Sequence, residues 1–93
     1  MTIEALQAAI REREQRIRSF VLEHLSTRDV AYSREVMDAM PKDQGSIVSM
    51  SCPIIGREMQ AMERDGLLTS YLVPAGTLPK QSTIRRYYRL VRT

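Results

Sequence analysis

Apolar residues recur at alternating three- and four-residue steps through the first quarter of the chain. The stripe is made of Ile3, Leu6, Ile10, Ile17 and Phe20, with one interruption at Arg13. This period predicts an amphipathic helix that Thr2 caps and that runs to about Leu25. Val21, Leu22 and Leu25 widen its apolar face in the second half.

A second, shorter helix is predicted after a brief extended link at 30–32. Ser33 is a good N-cap for a helix over about 34–40, which Pro41 ends because proline cannot continue a helix. Within this helix we expect three side chains to face the core: Val36, Met37 and Met40. The ten residues that follow, 41–50, are predicted to form a loop.

The third helix is predicted over about 53–65. Pro53 suits its first turn, with Ser51 or Cys52 at the cap, and Gly66 suits the left-handed position after its end. One face carries the apolar residues Ile55, Met59 and Met62. On the opposite face, Pro53 is followed by three polar or charged residues, Arg57, Gln60 and Arg64.

The last quarter of the chain predicts a β-hairpin. The segments 69–73 and 83–91 have strand character, and the Pro/Gly-rich stretch between them forms the turn region. We expect the inner side of the hairpin to consist of Leu72, Tyr88 and Leu90. Strict alternation places Arg86 on the same side as Tyr88, and a β-bulge near Arg85 and Arg86 would remove that conflict.

Length and composition bound the class of protein. The 93 residues, 43% of them hydrophobic, suit a single domain with one modest core. A single cysteine, Cys52, and a single histidine, His24, predict no disulfide, no zinc site and no cofactor. The chain contains no nucleophile–base set or glycine-rich phosphate loop, so an enzyme is not expected. No membrane span or signal segment is visible, and a cytoplasmic location is expected.

The charges are divided unevenly along the chain. Residues 1–66 hold nine basic and eleven acidic groups, whereas residues 67–93 hold five basic groups and no acid. The two parts therefore carry −2 and +5, which sum to the net +3. A one-sided positive field favours a phosphate backbone as partner. The alternative is a basic tail that serves solubility.

The polar face of the third helix suits the major groove of double-stranded DNA. Arginine pairs with guanine and glutamine with adenine through two hydrogen bonds each. We therefore predict base contacts from Arg57, Gln60 and Ser51. The predicted phosphate contacts are Ser33, Arg34, Ser49, Arg64, Lys80, Arg85 and Arg89. The alternative is a solvated charged face, which is usual for a surface helix.

A helix that ends in ERDGLL and leads into a basic hairpin closing with TIRRYYRL resembles a known arrangement. It is similar to the recognition helix and wing of winged helix-turn-helix regulators of the PadR and MarR type, over roughly residues 15–92. The resemblance implies an α+β, mostly α fold with three helices, a C-terminal hairpin wing at 69–91 and an extended N-terminal helix. It also implies a repressor-like transcriptional regulator, with Lys80 at the wing tip near flanking phosphates or a minor groove.

Such a domain, residues 15–93, needs only the second half of the first helix. Residues 1–14 are surplus to its core, and an exposed stripe of Ile3, Leu6 and Ile10 favours homodimerisation, which would present two recognition helices to two half-sites. The alternative for this segment is a frayed or self-packed extension. A winged-helix module that binds protein is the alternative to DNA binding, and fold alone does not decide between them.

Overall fold

The computed structural model describes residues 2–41 and 50–92. Within these ranges the chain is α+β and mostly helical, with three helices and a two-stranded antiparallel hairpin. The elements in chain order are α1 (Ile3–Ser26), α2 (Ser33–Ala39), α3 (Cys52–Arg64), β1 (Leu68–Val73) and β2 (Arg85–Leu90). Ser49, predicted to contact phosphate, lies outside the described residues.

Helix α1 confirms the prediction of one long amphipathic helix. The Thr2 hydroxyl oxygen accepts a hydrogen bond from the Ala5 N–H at 3.1 Å, as an N-cap does. Buried positions begin only at Ile17. Ile3 and Leu6 are 73% and 40% exposed. The apolar residues in the first half of α1 therefore do not pack in the core.

Helix α2 begins one residue earlier than predicted, so the expectation that Ser33 caps it is wrong. Tyr32 is the N-cap, and its carbonyl accepts from the Val36 N–H at 3.1 Å. The reason is tertiary: Ala31 exchanges two backbone hydrogen bonds with Tyr88 of β2, which holds this link extended up to Tyr32. The predicted core contacts are confirmed, with Val36 buried and Met37 and Met40 packed against the core.

Helix α3 has both predicted faces. Ile55, Met59 and Met62 are fully buried, and the cap is Ser51. Gly66 follows the helix with φ +83°, a value that favours glycine. The Leu67 N–H then donates to the Met62 carbonyl at 2.9 Å, a helix-ending bond of the Schellman type.

Burial of ten apolar residues builds one core between the three helices and one face of the hairpin. These residues are Ile17, Val21, Leu25, Ala31, Val36, Ile55, Met59, Met62, Leu68 and Tyr88. At the rim of the core, Arg18 of α1 pairs with Glu58 and, at 2.8 Å, with Asp65. The hydrogen bonds to Glu58 and Asp65 raise the pKa of Arg18 above its ordinary value. This ion-pair network ties α1 to α3.

The hairpin has a regular register from Leu68↔Leu90 to Val73↔Arg85, so the predicted bulge is absent from β1 and β2. Arg86 does share a side with Tyr88, but it lies where the core has already ended. For the same reason the expectation that Leu72 lies inside is wrong: Leu72 pairs with Arg86 and is 51% exposed. Tyr88 is buried and Leu90 packs against the core, as predicted.

Across residues 2–41 and 50–92, none of the helices combines the length and apolar character that crossing a bilayer requires.

Candidate nucleic-acid interface

The outer face of α3 is open to solvent along its whole length. Pro53, Arg57, Gln60 and Arg64 are all exposed, because the buried residues of the helix occupy the opposite face. Within the described part of the chain, no hydrogen bond or ion pair engages the side chain of Arg57 or of Arg64. The guanidinium groups of this face are therefore available to a ligand.

A groove of about 390 Å³ lies beside this face, between the start of α2, the middle of α3 and β2. We call it the central groove. It is lined by Tyr32, Ser33, Arg34, Gly56, Gln60, Thr83, Ile84, Arg85, Arg86 and Tyr88. The fold thus brings Gln60, a predicted base contact, together with Arg34 and Arg85, two predicted phosphate contacts, and with Arg86.

Local contacts orient two of these arginines. The Arg34 Nε donates to the Asp38 carboxylate at 3.2 Å, one helical turn further along, although both side chains are well exposed. The Arg86 guanidinium donates to the Ser70 hydroxyl at 2.9 Å, and that hydroxyl donates to Glu63 of α3 at 2.8 Å. Arg86 therefore belongs to the groove, although it was not among the predicted contacts. The alternation of residues along the strand had predicted only a β-bulge near it.

Arg85 is held by aromatic groups. Its guanidinium lies 4.5 Å from the centroid of the Tyr32 ring, within the range of a cation–π interaction. A hydrogen bond with Tyr87 raises the pKa of Arg85 above its ordinary value. The cation is therefore placed at the border between the central groove and the outer side of the sheet.

Gln60 has a partner within the protein. Its side chain hydrogen-bonds the hydroxyl of Tyr88, a residue only 2% exposed. Burial raises the pKa of Tyr88 above its ordinary value. The nearby charge of Arg86 and the hydrogen bond from Gln60 lower this pKa, whereas the charge of Glu63 raises it further. The amide must share or leave this bond to reach a base, so Arg57 is the less encumbered of the two predicted base contacts.

The raised pKa of Tyr88 predicts a loss of stability at alkaline pH. Because the folded state holds this proton more tightly than the unfolded chain, its contribution is complete below the unfolded pKa of about 10 and declines as pH rises through the folded pKa. Urea unfolding of the wild type between about pH 8 and 11 should show this decline. Tyr88→Phe should show a shallower one; equal slopes would contradict the assignment.

The other predicted contacts are spread more widely. Ser33 lines the central groove, and Ser51 is half-buried at the cap of α3 without a side-chain capping bond. Lys80 is exposed in the connection between the strands, with φ +63°. Arg89 lies away from the central groove, in a second depression that also contains Asp29 and Arg92.

Gln81 is a buried organiser of the hairpin connection that sequence reasoning missed. It is 5% exposed; its Nε2 donates to the carbonyls of Val73 and Thr83 at 2.9 and 3.0 Å, and its Oε1 accepts from the Leu78 N–H. These bonds satisfy backbone groups that β1 and β2 do not pair. No periodicity distinguishes this glutamine from its polar neighbours, so the sequence carries no signal for it.

His24 also has a partner that was not expected. Its Nε2 lies 3.3 Å from a carboxylate oxygen of Glu35 on α2, and its ring stacks on Phe20. This contact joins α1 to α2. Among the residues that the structure describes, no group of three or more His, Cys, Asp or Glu is placed to hold a metal ion.

The candidate nucleic-acid interface has three parts. Its elements are an exposed Arg/Gln helix face, an adjoining groove with three arginines and a hairpin whose sequence contains no acid. Comparison of the chain with protein-family models, with curated proteins and with solved structures finds no match.

Proposed function

We propose that this protein is a sequence-specific, double-stranded DNA-binding regulator of the winged helix-turn-helix type. In this proposal α3 enters the major groove, and the hairpin is a wing against flanking phosphates or a minor groove. Arg57 and Gln60, with Ser51, contact base edges. Phosphates are contacted by Ser33, Arg34, Ser49, Arg64, Lys80, Arg85 and Arg89.

One observation carries the proposal: the polar face of α3 is exposed and adjoins a groove lined by Arg34, Arg85 and Arg86. A buried helix face would have removed any route to base edges. The acid-free sequence 67–93 adds a positive field on the hairpin side. Arg89 supports the proposal less directly, because it faces a different depression.

Titration with duplex DNA at two salt concentrations tests the proposal. If the five proposed cations of one protomer contact phosphates, raising salt from about 50 to 200 mM should lower the affinity about 500-fold. The loss follows from the counterions that bound cations release. Negligible binding at low salt, or binding without salt dependence, would instead support a protein-binding winged-helix module.

We also propose that the protein is a homodimer through the first half of α1. The exposure of Ile3 and Leu6, with Ile10 half-buried, leaves an apolar stripe without cover from the described part of the chain. Two copies that join there would place two α3 helices for two half-sites.

The dimer is tested by sedimentation at micromolar concentration. The wild type should sediment as a dimer and Ile10→Arg as a monomer, because a charge in the seam cannot be buried unpaired. Ala8→Arg adds the same charge on the exposed opposite side of α1 and should leave the dimer intact. A wild-type monomer, or an Ile10→Arg dimer, contradicts this interface.

A further inference from the structure

Three tyrosines form a row across the sheet. Tyr71 and Tyr87 are register partners on β1 and β2, and Tyr32 follows Ala31, which bridges to the other edge of β2. The ring centroids of Tyr71 and Tyr87 are 5.9 Å apart with an interplanar angle of 18°, and those of Tyr32 and Tyr87 are 5.3 Å apart at 64°. We call these three residues the tyrosine row.

Two members of the tyrosine row, Tyr71 and Tyr87, lie on the side of the sheet that faces away from the core. Tyr32 contacts Tyr87 at the edge of that side and also lines the central groove. Successive side chains of a strand point to opposite faces, and Leu68, Ser70 and Tyr88 point to the core side, where Ser70 reaches Glu63 of α3. Tyr71 is accordingly 45% exposed, whereas Tyr88 is 2% exposed. The two adjacent tyrosines of β2 thus have different roles: Tyr88 anchors the sheet and Tyr87 belongs to an outer surface.

Cations flank the tyrosine row on this outer surface. Arg85 and Arg89 alternate with Tyr87 along β2, so all three share one face. Arg85 contacts the Tyr32 ring, and Arg89 adjoins Arg92 in the second depression, where Asp29 is the acidic member. The surface therefore alternates planar rings with guanidinium groups.

We propose that the tyrosine row, with Arg85 and Arg89, binds single-stranded nucleic acid. Bases of any sequence stack on aromatic rings, and arginines beside the rings hold the phosphates, which is the combination that binds unpaired strands without sequence preference. An acidic protein segment would satisfy the arginines but would offer no planar groups to the rings. The rings of Tyr71 and Tyr87 lie on the opposite side of the sheet from α3, so their stacking is additional to duplex recognition. Arg85 and Arg89 are also proposed duplex contacts, so substitution of Tyr71, and not of either arginine, separates the two activities.

Fluorescein-labelled oligothymidine and oligouridine strands test the proposal at low salt, beside an abasic strand with the same number of phosphates. The wild type should bind the base-containing strands at least about 5-fold more tightly than the abasic strand, and Tyr71→Ala should weaken only the former, about 5- to 150-fold. Thermal unfolding checks that this exposed substitution leaves the fold intact.

Leu72→Ala, next to Tyr71 on β1 but on the other face of the sheet and 51% exposed, is the matched control and should leave single-strand binding unchanged. Equal affinity of the wild type for the abasic and base-containing strands would overturn the proposal, as would insensitivity to Tyr71→Ala. Equally tight binding of polyglutamate would overturn it in favour of an acidic protein partner. Duplex titration of Tyr71→Ala separates the two surfaces, because retained duplex affinity together with lost single-strand affinity is the expected pattern.

Discussion

Replacement of Met59 by alanine is expected to lower the free energy of unfolding by about 2–5 kcal/mol. Met59 is fully buried at the centre of the buried face of α3, between Ile55 and Met62. The truncation loses the transfer free energy of the side chain and leaves a cavity that the packed core fills only in part. Against a typical total of about 5–15 kcal/mol, the loss is large enough to unfold much of the protein on mild heating.

Urea unfolding with circular dichroism measures this loss, which should appear as a lower midpoint with an unchanged slope. Arg64→Ala, on the exposed face of the same helix, is the matched control and should stay within about 0.5 kcal/mol of the wild type. Met59→Leu keeps the volume and should cost less than about 1.5 kcal/mol. A Met59→Ala variant as stable as the control would mean that this side of α3 does not pack in a core.

Local signals predicted α3 well because each acts within a few residues. The spacing of Ile55, Met59 and Met62 identified the buried face, and Gly66 marked the helix end through the left-handed conformation that the structure shows. The exposed face followed as the complement of the buried one. These features depend on helix geometry alone, so a single sequence sufficed.

Features that depend on how elements meet were not predictable in the same way. Alternation along β2 placed Arg86 and Tyr88 on one side, but the point where the core ends depends on where α3 crosses the sheet, and this left Leu72 exposed. The cap preference of Ser33 was overridden because Ala31 pairs with β2.

The same limit applies to the candidate site. The bonds that join Gln60 to Tyr88 and Arg86 to Ser70 cross between elements, and periodicity contains no information on them. The exposed arginines of α3 were foreseen, whereas the groove beside them was not.

Replacement of Arg57 by alanine is expected to weaken binding to the specific duplex by about 1–3 kcal/mol. It should also reduce the discrimination between base pairs at one position of the site. The expectation rests on the proposed duplex function and on the freedom of Arg57, which is exposed and has no ion pair within the described residues. Selection from a random duplex pool first identifies the site, and competition titrations with single-base variants then measure the preference. Arg57→Lys keeps the charge but not the two-pronged geometry, so it should recover affinity more than selectivity.

Lys80→Ala distinguishes this base contact from a phosphate contact. Lys80 is exposed in the connection between the strands of the hairpin. In the proposed arrangement it contacts a phosphate, and phosphate contacts carry no sequence information. Its loss should weaken all duplexes alike and reduce the salt slope by about one, since one fewer counterion is released. Uniform weakening by Arg57→Ala together with altered selectivity in Lys80→Ala would reverse the two roles and show that the hairpin, not α3, reads the sequence.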